Sequence, residues 1–154
     1  MGRRGLSTVA GTCLLVALTV LLAASVGAVT LGSDMRSEPT TLRVSASVDA
    51  TADRIALTHE GGDAVDPASL GLRVKIDGTP LDHQPPVPFF AAKGFVSGPT
   101  GPFNSATDGE WTAGETGSIR LASTNAPTLR AGDSVELTVL EGEDVLATVE
   151  TAAE

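Results

Sequence analysis

The sequence predicts a single N-terminal transmembrane α-helix followed by a small all-β domain. Two observations carry this. From Val9 to Leu31 the chain contains neither a charge nor a proline, and a helix of that length rises about 35 Å, enough to cross a bilayer. Beyond it the chain is acidic and rich in Gly, Pro and Thr, with short stretches in which apolar and polar residues alternate, the period of a half-buried strand. The expected organisation is a basic leader at 1–5, a hydrophobic helix at 6–32, a linker at 33–41 and an extracellular β-domain at 42–154, a size that suits one core.

Charge is unevenly divided. The formal net charge is -9, yet Arg3 and Arg4 precede the helix and all 19 acidic residues follow it, so from Ser33 onward eight basic residues stand against 19 acidic ones, a net of -11. Such a surface argues against nucleic acid as a partner, because phosphate binding needs a basic face. Lysine occurs only at Lys75 and Lys93 while Ala, Thr and Asp are common; this resembles the acidic surface of halophilic proteins, although an ordinary acidic exported domain has the same balance. Cys13 is the only cysteine and lies in the apolar run, which rules out a disulfide within the chain and a cysteine-based metal site. Arginines before an apolar span favour a cytoplasmic N-terminus, placing the protein in the cell membrane with its C-terminal domain outside.

Within the apolar run, Ala10, Cys13, Ala17, Ala24, Gly27 and Ala28 recur at spacings that fall near one helical face, with Leu14, Leu15, Leu18, Leu22 and Val29 elsewhere. Small residues let helices approach closely where lipid gives no hydrophobic reward for association. The same stripe also follows from an Ala- and Gly-rich composition alone. Gly32, Ser33 and then Pro39 end the helix.

The strands follow in order. Leu42, Val44, Ala46 and Val48 alternate with Arg43, Ser45 and Ser47, a turn is expected at Asp49–Asp53, and Ile55, Leu57 and His59 share a face of the next strand, making a hairpin. Glu60-Gly61-Gly62-Asp63 reads as a turn and Asp66 to Leu70 as a single helical turn opened by Pro67. Leu72, Val74 and Ile76 form a strand ending at the turn dipeptide Asp77-Gly78. Six of the nine prolines lie between Thr79 and Gly109, which predicts a long irregular excursion at about 79–109, pinned by Phe89, Phe90, Phe95 and Phe103. Strands resume at Ser118–Ala122, at Val135, Leu137 and Val139, and at Val145–Val149, the last two joined by a turn at Glu141–Asp144. Six or seven short strands with polar turns predict an immunoglobulin-like antiparallel β-sandwich, with a barrel as the other arrangement this count allows.

The most specific local pattern is at the start. Arg4-Gly5 followed by Leu6-Ser7-Thr8-Val9-Ala10-Gly11 and an unbroken apolar helix resembles the class III signal of archaeal type IV pilins. That resemblance implies cleavage by a prepilin peptidase between Gly5 and Leu6, with Arg4, Gly5 and Leu6 as the processing site, and assembly of the retained helix with other pilin subunits. The family's frequent form has Pro after the Ser and a β-branched residue before the Gly, where this chain has Thr8 and Ala10. Leu57–Asp63, Trp111–Glu115 and Arg130–Val135 are also similar to phrases in haloarchaeal pilin-type proteins, though they consist mainly of turn chemistry. Three other readings of the N-terminus stand beside this one: a secretory signal cleaved near Ser25, Gly27 and Ala28, a twin-arginine signal at Arg3-Arg4-Gly5-Leu6, and a lipoprotein site before Cys13, which the apolar run follows where it should precede.

Catalysis has little to build on. His59 and His83 are isolated and read as structural or solvated, the turn carboxylates lack the loop spacing of an EF-hand although Asp63 and Asp66 are close enough in sequence to be weighed for calcium, and Trp111 reads as a core or sheet-edge plug. No cofactor is implied. The expected function is therefore that of a non-enzymatic, pilin-like structural subunit, held in membrane lipid and then assembled through its helix into a surface filament for adhesion. An unprocessed membrane-anchored binding module and a secreted domain are the alternatives.

Overall fold

The computed structural model describes residues 9–23 and 39–154, and the chain divides between Pro39 and Thr40 into two units. In the first, residues 9–23 form helix α1, about 22 Å long. The hydroxyls of Thr12 and Thr19 donate back to the carbonyls of Val9 and Val16, which satisfies two polar groups on an otherwise apolar rod. Every side chain of α1, taken by itself, is exposed. Among the described residues no helix is long and apolar enough to cross a membrane. The rest of the expected 6–32 helix, at 6–8 and 24–32, lies outside the described residues, as do the leader at 1–5 and most of the expected linker, of which Pro39 to Thr41 has no regular structure.

The second unit is mostly β, with two antiparallel sheets. Its strands are β1 (Leu42–Asp49), β2 (Arg54–Gly62), β3 (Leu70–Ile76), β4 (Thr79–Pro80), β5 (Thr116–Arg120), β6 (Ser134–Glu141) and β7 (Asp144–Ala152). One sheet has the order β1-β2-β5 and the other β4-β3-β6-β7. Both sheets contribute to a single sandwich-like core: Val48, Ile55, Leu57 and Ile119 from the first, and Leu72, Val74, Ile76, Val135, Leu137 and Val139 from the second. The alternation expected from sequence is what places them there, since a period of two sends every second side chain of a strand to one face.

Local chemistry sets the connections. Asp77 and Gly78 both have positive φ (49° and 75°) and join β3 to β4, the backbone that a two-residue hairpin turn of type I′ requires. Asp66 caps the 3-10 turn Pro67–Ser69 by accepting from the Ala68 N–H at 2.9 Å. The expected turn at Glu60–Asp63 begins later than its glycines suggest, because β2 continues to Gly62 opposite Leu42. This is possible through a bulge at Arg43/Val44, where Gly62 (φ +110°) lies so close to the Thr41 carbonyl that no side chain fits.

Irregular chain runs beside β5 and β3, on one side of each sheet. Outside β5, Thr100 bridges Ser118, the Val96 N–H donates to the Arg120 carbonyl at 2.9 Å, and Phe95 bridges Leu121. Beside β3, the Gln84 carboxamide acts as a surrogate strand, accepting from the Val74 N–H at 2.7 Å and donating to its carbonyl at 3.0 Å. At the far corner, Glu154 donates to the Val48 carbonyl and accepts from the Ala50 N–H, so the C-terminal residue of the chain ties the end of β7 to β1 across the two sheets.

The excursion after β4 holds one more 3-10 turn, Gly101–Phe103. Phe89, Phe95 and Phe103 are buried as expected, but Phe90, at a bend just after the bridge residue Phe89, is 60% exposed. Phe103 lies against β5 at Gly117, where a Cβ would come within 2.6 Å of its ring. Gly117→Ala therefore displaces Phe103 and is expected to destabilise the fold by about 1–3 kcal/mol, read as a lowered Tm, whereas an unchanged Tm contradicts this packing.

Candidate functional site

One end of the domain gathers two of the three turn-rich phrases singled out in the sequence. Trp111 is fully buried and its indole Nε1 donates to the Glu115 carbonyl at 3.0 Å. Its ring meets His59 edge-on at 5.4 Å between centroids and Phe103 at 5.3 Å. The backbone closes the same knot: Trp111 and Val65 exchange both N–H···O bonds, His59 donates to the Glu115 carbonyl, and Gly114 donates to the His59 carbonyl. The third phrase is elsewhere. Arg130 to Asp133 forms a turn before β6 in which the Asp133 carboxylate accepts from the Arg130 N–H at 2.8 Å.

His59 is fully buried on the face it shares with Ile55 and Leu57. Its Nδ1 lies 3.1 Å from the Gly61 N–H, which can only donate, so Nδ1 accepts and Nε2 carries the hydrogen that goes to the Asp63 carbonyl at 2.9 Å. Both ring nitrogens are thus engaged with main chain in one neutral tautomer, leaving no lone pair directed at a substrate. His83 is half-buried in the excursion, and its Nδ1 has no partner among the described residues.

Two carboxylates flank this knot in matching roles. Asp63 Oδ2 accepts from both the backbone N–H and the hydroxyl of Thr41, each at 2.9 Å. Glu115 Oε2 accepts from the backbone N–H of Thr112 at 2.7 Å and its hydroxyl at 2.9 Å. In both, the backbone donor is the main cause and the hydroxyl the second in holding the carboxyl below its usual range. Asp63 and Asp66 do not converge as a cation site, since one serves Thr41 and the other the Ala68 N–H. Among the described residues no group of three or more His, Cys, Asp or Glu side chains is placed to hold a metal ion.

Two surface depressions are lined by carboxylates, one at the β1–β2 turn and one beside Glu115. An open polar one of about 590 Å³ is lined by Asp49, Thr51, Arg54 and Glu154, with Arg54 and Asp49 paired at 3.8 Å. An acidic one of about 220 Å³ is lined by Pro102, Asp108, Glu110, Glu115 and Thr116. Neither contains a histidine or cysteine among its lining residues, so the nucleophile–base pairing of acyl-transfer sites has no counterpart in them.

Of the helix-face residues, Ala10, Cys13 and Ala17 are on α1, all exposed, with a spacing of three and four that sets them on one side. Ala24, Gly27 and Ala28, and the processing residues Arg4, Gly5 and Leu6, lie outside the described residues. Sequence reading did not find Asn125, which is 3% exposed and holds the excursion: its Oδ1 accepts from the His83 and Ala126 N–H groups and its Nδ2 donates to the carbonyls of His83 and Gly94. Gln84 was equally silent. A polar residue in a Pro-rich loop carries no periodicity to mark it as buried.

No protein-family model matches the chain, and no curated protein matches it. The site is therefore read from its geometry.

Because Asp63 and Glu115 are held below their usual range, the folded chain binds protons less readily than the unfolded one. Their contribution to stability is present above about pH 4–5 and is lost as pH falls through the lowered folded values. In Asp63→Asn/Glu115→Gln the acceptor oxygens remain while the charges do not. Thermal melts from near neutral pH downward are expected to show the wild-type Tm falling more steeply than that of the double variant, with the gap closing at the acid end; parallel curves contradict the assignment.

Proposed function

We propose that this chain is a type IV pilin-like structural subunit: inserted in the membrane by its N-terminal helix, cut between Gly5 and Leu6 by a prepilin peptidase, and assembled through that helix into a surface filament whose β-domains face outward. The observation that carries the reading is the junction Arg4-Gly5-Leu6 placed directly before a run from Val9 to Leu31 with no charge. A signal cut on the N-terminal side of its apolar segment leaves the segment on the mature protein, and an apolar rod left on a mature protein needs lipid or other helices to cover it.

Other features support the same reading. Residues 9–23 are helical and present Leu14, Leu15, Leu18, Leu21 and Leu22 with 57–75% of their surface exposed, while Ala10, Cys13 and Ala17 supply a side where a neighbouring helix can come close. The strand orders β1-β2-β5 and β4-β3-β6-β7 support reading the domain as an immunoglobulin-like sandwich, with β1, β2 and β5 standing as A, B and E and β4, β3, β6 and β7 as C′, C, F and G. Such domains serve widely as rigid surface modules, and the histidine bound on both sides by main chain suits a scaffold better than a catalyst. The acidic surface suits a domain that stays soluble in strong salt.

Intact-mass measurement on protein taken from its native membrane is expected to give a chain beginning at Leu6, and the same species is expected in sheared surface filaments. A chain beginning near Val29 overturns the reading in favour of a secreted domain. One retaining Met1 overturns it in favour of an anchored binding module.

A further inference from the structure

The excursion between β4 and β5 carries a feature that neither the sandwich core nor the helix uses. Residues 90–98 form a short loop closed at its base, where the Gly98 N–H donates to the Phe90 carbonyl at 2.7 Å. Its interior is braced from the domain: the Gly94 carbonyl accepts from the Ala122 N–H at 3.0 Å and from Asn125 Nδ2 at 3.2 Å, and Val96 donates to β5 at Arg120. Phe95 is buried against Phe89. On this rigid base Phe90 stands 60% exposed, beside exposed Ala91 and Val96. It is the exposed aromatic among the described residues, the other three phenylalanines and Trp111 being buried.

Lys93 lies three residues on and is exposed. Among the described residues it makes no salt bridge, whereas the other lysine, Lys75, is paired with Glu136 at 2.6 Å. An aromatic ring and an unpaired cation on a preordered loop form the kind of anchor that dominates interfaces, because little side-chain or backbone freedom is lost when it docks.

The acidic depression on the same domain has the matching properties. It is an open depression of about 220 Å³. Pro102 and Thr116 supply apolar wall, while Asp108 and Glu110 bring two carboxylates with no salt bridge among the described residues. No basic residue lines it.

We propose that the Phe90–Lys93 loop of one copy docks into the acidic depression of a second copy, with the Phe90 ring in the cleft and the Lys93 ammonium against Asp108 and Glu110. The occupant is argued from charge: this domain has a large acid excess, and its one unpaired lysine sits next to its one exposed aromatic. A single knob and cleft is small beside the interfaces of stable dimers, so the contact forms where copies are concentrated. It involves the β-domain alone and does not depend on whether the Gly5–Leu6 bond is cut.

The test uses the full chain in detergent, as an equal mixture of copies with natural nitrogen and copies labelled with ¹⁵N, treated with a carbodiimide that joins an amine directly to a carboxylate. Expected are amide cross-links from Lys93 to Asp108 or Glu110 that pair labelled with unlabelled chains, with yield rising with protein concentration. Phe90→Ser is expected to lower that yield at least several-fold without changing Tm, since the side chain is exposed; Lys93→Glu removes the reacting amine and serves as the blank. Mixing Lys93→Glu with Asp108→Lys/Glu110→Lys is expected to restore a link between residue 93 of the first and residue 108 or 110 of the second. Links confined to single chains, links spread over other carboxylates, or a yield indifferent to Phe90→Ser each overturn the proposal.

Discussion

The domain depends on Trp111. Thirty-five residues separate β4 from β5, a long path without regular structure for a unit of this size, and left unattached it would expose the edges of both sheets. The indole prevents this by filling the end of the core where β2, the 59–65 segment and the excursion meet. It touches His59 on one side and Phe103 on the other, and its N–H is spent on the Glu115 carbonyl. Truncating a buried Trp costs about 3–5 kcal/mol, a large part of the stability of a typical domain.

Around that plug, polar side chains take the place of strands. Gln84 imitates a ladder neighbour for Val74, Asn125 fastens the 83 and 94 segments with three hydrogen bonds, and Asp63 and Glu115 each hold a threonine N–H and hydroxyl. Each group is satisfied, which is the condition under which buried or strained polar chain stabilises a fold instead of weakening it. The consequence for function is that His59 and most of the carboxylates of the domain already have structural partners. What remains for intermolecular contact is the apolar surface of α1, the exposed Phe90 loop and the acidic depression at Asp108 and Glu110.

Much of this was legible in the sequence where a period operates. Six of the seven strands were legible, four of them from alternation, although β5 runs over Thr116–Arg120 where Ser118–Ala122 was expected; Pro67 and Asp77-Gly78 mark turns, and Trp111 reads as a plug because a large aromatic among Gly and Thr has few other uses. The end of β2 was not legible, since Glu60-Gly61-Gly62-Asp63 is turn chemistry and only the bulge opposite Arg43 lets the strand run on. Nor were the roles of Asn125 and Gln84, whose partners are main-chain atoms that no periodicity links to them. The four phenylalanines could be assigned to the excursion but not sorted, since the outward one, Phe90, lies at a bend of irregular chain that no period marks. The residues on which the pilin resemblance rests most heavily, Arg4, Gly5 and Leu6, lie outside the described part of the chain.

The central claim is that excursion and sandwich form one cooperative unit closed by Trp111. Native-state hydrogen exchange at low denaturant tests this directly, because the amides of Val65, Thr100, Trp111 and Gly114 are bonded across the closure while those of Leu137 and Thr138 belong to β6, which is paired on both sides within the second sheet. If the claim holds, all of them open with the same free energy and the same denaturant dependence, as a single unfolding event. Earlier exchange of the first group, at a free energy well below that of the strand amides, would show the excursion to be a separately opening appendage and contradict the claim.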